Sequence, residues 1–208
     1  MGMSFQKWRG KGEQTDNIET KGFEAVRSDV AEVTVDAQEK LFGLLLTQPL
    51  GEAIDEYGMW LRGLLEEIES GEYPLDKLGQ RSGIGQPLNQ YGSKNRTPQP
   101  VYRGSRYANQ YVYGDDVIGE GDRPLWLYVS RVKGLPRTYN ADTAEDGQAV
   151  DAIAVLEADD LPDGVEIDTS KMIEKTIKDP IAPILDNVGY EYDELISSHS
   201  QTDVARFM

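Results

Sequence analysis

The sequence predicts an α+β fold, mainly helical, and three observations carry that expectation. From Pro49 to about Glu69, the residues Leu50, Ile54, Tyr57, Leu61, Leu64, Leu65 and Ile68 recur at a 3.6-residue period, an apolar stripe one helix face wide. A second helical pattern runs through Met172, Ile173, Ile177, Ile181, Ile184 and Leu185. Between them, Leu125–Val129 is a short apolar run of strand length.

The elements follow in order. Lys7, Arg9 and Lys11 open the chain without an acid among them, a mixed polar stretch reaches Thr20, and Phe23–Val26 alternates like a short strand. In a helix from Thr34 to Thr47, Ala37, Leu41, Leu44 and Leu45 share one face. Pro49 suits the first turn of the next helix because its missing N–H would have no partner there, and Ser70-Gly71 ends it. Tyr73 to about Arg123 is rich in Gly, Pro, Gln, Asn and Tyr without a helical period, so short strands and loops are expected. Leu125–Val129 and Ala149–Leu156 read as strands, with a polar, acidic loop from Thr138 to Gly147 between them. Asp168 or Thr169 can cap the late helix, Pro180 and Pro183 should kink or restart it, and Gly189 should stop it. A brief turn around Tyr192 to Ile196 leads to the tail.

With 208 residues, of which 38% are hydrophobic, the chain can build one large domain or two small ones around a lean core. The absence of cysteine excludes disulfides and thiolate chemistry, and the single histidine, His199, lies in a polar stretch and reads as a solvated bystander. No apolar run is long enough to span a bilayer and no apolar leader is present, so a cytoplasmic protein without a membrane partner is expected. The net charge of −16 opposes nucleic-acid binding by long-range attraction. Molar intracellular salt resolves this, since it shrinks the Debye length to about 3 Å and leaves direct contacts to act, so a salt-adapted origin is expected.

Against that acidity, Lys77 to Gly114 contains no Asp or Glu, where about seven would be expected from the chain's average. Lys77, Arg81, Lys94, Arg96, Arg103 and Arg106 alternate there with Tyr91, Tyr102, Tyr107, Tyr111 and Tyr113. Cations suit phosphates and aromatic faces suit sugars or bases, so this island reads as a nucleic-acid surface. Tyr113-Gly114-Asp115-Asp116 has the form of a polymerase metal-binding turn, but two-metal transfer needs a further aspartate from an apolar strand and none lies upstream. We therefore read it as a solvated turn, and likewise Asp159-Asp160 as a loop. Gly83-Ile84-Gly85 lacks the third glycine and the strand–helix context of a dinucleotide fold. At the tail, Gln201, Val204, Phe207 and Met208 would align on one side of a helical turn, ready for an apolar pocket on a partner.

Taken together, collinear segments resemble the C-terminal thumb region of a family B DNA polymerase, without palm and fingers. They are Lys21–Asp29, Tyr73–Leu78, Arg96–Asn109, Gly121–Val129 and Ile167–Lys175 continuing to Gly189-Tyr190, and the acidic composition is similar to haloarchaeal or haloviral members. The tail resembles the peptide box that binds sliding clamps, with Val204 and Met208 departing from its usual residues. Gln6-Lys7-Trp8 falls where the family has a lysine-x-tyrosine element gripping the primer–template backbone.

The resemblance implies a palm-to-thumb junction over 1–30, thumb base helices over 31–75, a small, loop-rich, β-containing distal subdomain facing DNA over 76–166, a closing helix over 167–198 and a clamp-binding tail over 199–208. It implies primer–template DNA, a palm/fingers polymerase chain and a sliding clamp as partners. DNA contacts are expected from Lys7, Trp8, Arg9, Arg27, Lys77, Arg81, Lys94, Arg96, Arg103, Arg106 and Tyr107, and clamp contacts from Gln201, Val204, Phe207 and Met208. No catalytic residue, metal or cofactor is expected in this chain, because Mg2+ belongs to the partner palm. The alternative is a free-standing nucleic-acid-binding module associated with the clamp.

Overall fold

A computed structural model describes residues 29–91, 99–138 and 149–197. Helices α1 (Glu32–Thr47) and α2 (Leu50–Ser70) form a hairpin across Gln48-Pro49. Their buried residues keep the helical period: Val33, Ala37, Leu41 and Leu44 on α1 face Ile54, Tyr57, Leu61, Leu64 and Ile68 on α2. The Tyr57 hydroxyl donates to the Ala37 carbonyl at 3.2 Å, and Lys40 pairs with Glu56 at 2.9 Å. Gly71 ends α2 because the chain needs φ +79° there, after which the N–H groups of Glu72 and Tyr73 both close on the Glu67 carbonyl.

A one-turn helix α3 (Leu75–Leu78) leads to β1 (Gln80–Arg81), and the sheet is organised around β2 (Leu125–Val132). Antiparallel to β2 run β1, β3 (Ala152–Val155) and β4 (Val165–Ile167), with Gln80 opposite Trp126, Leu127 opposite Ile153 and Val132 opposite Val165. A register shift between Val129 and Arg131 bends β2, so its two halves serve different cores. Leu125, Leu127 and Val155 join the α1–α2 core, whereas Val129, Val132 and Ile153 join a second one with Ile84, Tyr107, Ala108 and Ile118.

The stretch expected to hold only strands and loops contains a helix, α4 (Pro100–Ala108), which runs on into a π turn at Asn109–Tyr113. Pro100 occupies its first turn, where the missing N–H costs nothing. What hid α4 is its buried face, made of Val101, Arg103, Gly104, Ser105, Tyr107 and Ala108, which has little apolar bulk. Its backbone instead approaches β3 closely: a Cβ on Gly104 would lie 2.9 Å from the Ala154 nitrogen and the Ile153 carbonyl carbon.

Helix α5 (Thr169–Ile173) is capped by Asp168, whose carboxylate accepts the Lys171 N–H at 2.9 Å, an arrangement worth about 1 kcal/mol. A π turn at Glu174–Lys178 joins it to α6 (Asp179–Asn187) just ahead of Pro180. Proline offers no N–H to the Thr176 carbonyl four residues earlier, and the buried Thr34 hydroxyl of α1 donates to that carbonyl. At the expected kink or restart, α5, the π turn and α6 follow one another without a gap. After Gly189 (φ +87°), α7 (Tyr192–Ser197) packs on α2 where Gly58 leaves room for Leu195, and Arg62 donates to the Leu195 carbonyl at 2.8 Å. The strand expected at Phe23–Val26 lies outside the described residues.

Candidate nucleic-acid interface

The basic island spreads over α3, β1, α4 and the loops between them, and its four described cations, Lys77, Arg81, Arg103 and Arg106, are all engaged with acids or carbonyls. Lys77 on α3 meets Glu32 of α1 at 2.6 Å, its side chain 42% exposed. Arg81 on β1 donates to the Leu156 carbonyl at 3.1 Å and pairs with Glu157 at 3.2 Å, with 38% of its side chain exposed. Both pairs sit in water, where such bridges contribute little and exchange readily.

Arg103 and Arg106, both expected to contact DNA, make contacts within the fold. Arg103 is buried, its side chain 10% exposed, and holds the Asp151 carboxylate through two bonds, Nε to Oδ1 at 2.8 Å and Nη2 to Oδ2 at 2.7 Å. Arg106 turns its guanidinium onto the Leu88 and Tyr91 carbonyls, the Nε bond to Leu88 measuring 3.1 Å. Tyr107 is 1% exposed and donates to the Pro136 carbonyl at 2.6 Å, and burial pushes its phenol up to about 12. The physical reason is that a stretch without acids still folds beside acids and carbonyls contributed by other segments. Lys7, Trp8, Arg9, Arg27, Lys94 and Arg96, and the tail residues Gln201, Val204, Phe207 and Met208, lie outside the described residues.

Asp151 was not singled out by the sequence, yet it is the junction of this region. Lys171 of α5 reaches the same carboxylate at 3.5 Å and lies over the Tyr128 ring at 4.0 Å, so α4, the start of β3 and α5 meet at one charge cluster. Burial would raise the Asp151 carboxyl, but the Arg103 bonds and charge, together with Lys171, hold it below the ordinary value of 3.8.

The island's tyrosines are divided between packing and display. Tyr91 and Tyr102 stack with centroids 3.5 Å apart and planes 13° apart, both partly exposed. Tyr113 is an anchor: its hydroxyl donates to Asp160 at 2.8 Å and accepts the Leu156 N–H at 3.0 Å. Gly114, at φ +71°, then releases the chain into an exposed turn in which Asp115 accepts the Asp116 N–H at 2.8 Å. Among the described residues, no group of three or more histidines and carboxylates is placed to hold a metal ion.

The fold and this region define a mainly helical α+β module whose small sheet joins a helical base to a cation- and tyrosine-rich part. Among solved structures it is similar to the family B DNA polymerase from the hyperthermophilic archaeon Pyrobaculum calidifontis, with a TM-score of 0.56 and 18% identity over 78% of this chain. The match takes in 18% of that polymerase's length, and at such identity the likeness is one of fold. No protein-family model matches the sequence. The curated proteins contain no match either. Among the described residues, no helix is long and apolar enough to cross a membrane.

Proposed function

We propose that the chain is the thumb part of a family B DNA polymerase, which holds primer–template duplex and supports processive replication while a separate palm/fingers chain performs nucleotidyl transfer. The fold likeness to an archaeal family B polymerase over 78% of the chain carries this reading, and the collinear sequence segments support it. Magnesium would act in the partner palm, where metal-bridged carboxylates stabilise the transferred phosphate. Lys77 and Arg81 keep side chains 42% and 38% exposed, and phosphates would displace Glu32 and Glu157 from them. Arg103, Arg106 and Tyr107 would serve duplex binding by holding α4 in place.

Fluorescence anisotropy with a labelled duplex tests the binding. Lys77→Ala/Arg81→Ala should weaken it at all sequences alike and flatten the salt slope by about one unit per lost phosphate contact. The chain alone should incorporate no nucleotide with magnesium, and adding the matching palm/fingers chain should restore synthesis. Incorporation by the chain alone, or an absence of duplex binding, would overturn the reading. The tail is proposed as the clamp contact. Deleting Gln201 to Met208 should abolish clamp binding in a pull-down with the duplex affinity unchanged, and loss of both together would make the tail structural.

A further inference from the structure

Beside the π turn that follows α4 lies a cleft of about 810 Å³, a volume suited to several residues of chain rather than to a single ion. Pro87, Leu88 and Tyr111 supply its accessible apolar lining, whereas Ile118, also at the cleft, is almost fully buried.

Charge selects the occupant. Asp115, Asp116 and Glu120 line the cleft, and among the described residues no cation pairs with any of them. Among the described residues, unpaired carboxylates also stand on the open surface of α2, at Glu66 and Glu69, but those of Asp115, Asp116 and Glu120 edge a concave one. Arg106, the cation in the wall, directs its donors to the Leu88 and Tyr91 carbonyls. A concave apolar surface edged by uncompensated carboxylates focuses negative potential, which repels phosphate and attracts a cation-bearing chain.

We propose that this cleft docks a short basic segment of a partner protein, its arginines or lysines on Asp115, Asp116 and Glu120 and its aliphatic side chains on Pro87, Leu88 and Tyr111. The exposed amides of Asn89 and Gln110 at the cleft supply hydrogen bonds to the segment's backbone. This surface adds a protein partner to the chain and does not depend on the duplex reading.

The test measures anisotropy of a fluorescein-labelled peptide alternating arginine and leucine against the full chain, at a salt concentration where circular dichroism shows it folded. D115N/D116N/E120Q should weaken binding about tenfold. E66Q/E69Q/E72Q, an equal charge change on exposed residues at the end of α2, should alter it about twofold or less. A peptide alternating arginine and glycine should also bind about tenfold more weakly, since it carries the charge without the aliphatic contacts. Equal losses in the two triple variants would reduce the effect to attraction by net charge and overturn the proposal. Binding of the arginine–glycine peptide as tight as that of the arginine–leucine peptide, or displacement of the latter by spermidine at the concentration where spermidine itself binds, would overturn it as well.

Discussion

Gly104→Val is expected to destabilise the protein by about 3 kcal/mol or more, and Gly104→Ala by about 1–3 kcal/mol, measured by urea denaturation. In an exposed helix the alanine change would stabilise by about 1 kcal/mol, because glycine is the weaker helix former. The sign reverses at Gly104 because the new Cβ meets backbone: the Ala154 nitrogen and the Ile153 carbonyl carbon would both lie 2.9 Å away. A flexible side chain can move aside, but strand β3 is held in register by β2, with Ala154 opposite Trp126 and Ile153 opposite Leu127. Helix α4 must therefore lift off the sheet, taking Val101, Tyr107 and Ala108 out of their cores. Gly63 on α2 is the internal control, since a Cβ there meets nothing within 4 Å. Gly63→Ala should stabilise by up to about 1 kcal/mol. If both glycines responded with the same sign, the close approach of α4 to β3 would be wrong.

The same glycine shows where sequence reasoning stopped. Helices α1 and α2 were legible because they bury bulky side chains at regular spacing, and both predicted spans agree with the structure to within about two residues. The helical run from Asp168 was legible for the same reason, with Asp168 as its cap. Helix α4 escaped because its inner face is Gly104, Ser105 and Ala108 beside one valine and one tyrosine, burying backbone rather than apolar bulk. Pro100 at a first helical turn was the available signal. In the candidate site, composition revealed a concentration of cations but could not reveal their partners. Asp151 lies 48 residues from Arg103 along the chain, and Arg106 ends on backbone carbonyls, acceptors that leave no trace in composition. A count of charge along the sequence therefore overstates what the folded surface displays.

Arg103→Ala is expected to cost about 2–3 kcal/mol of stability, because it removes a two-bond ion pair whose arginine is buried. The figure stays below the cost of breaking a fully buried pair since the Asp151 side chain is 40% exposed, and water can recover part of its solvation. Arg103→Lys should rescue only part of the loss, as an ammonium cannot present the planar fork that grips both carboxylate oxygens. The pair also sets an acid limb. The Asp151 carboxyl is held below 3.8 in the folded protein, so its contribution is complete above that value and is lost as pH falls through the lower folded value. Asp151→Asn should therefore lower stability at neutral pH and flatten its decline below about pH 4. Stability and DNA binding then separate two roles for Arg103. A side chain that touched phosphate would leave the unfolding midpoint unchanged on removal and reduce the salt slope of binding. An arginine that locks α4 to the start of β3 should do the reverse, lowering the midpoint while the slope, measured where the variant is still folded, stays that of the parent.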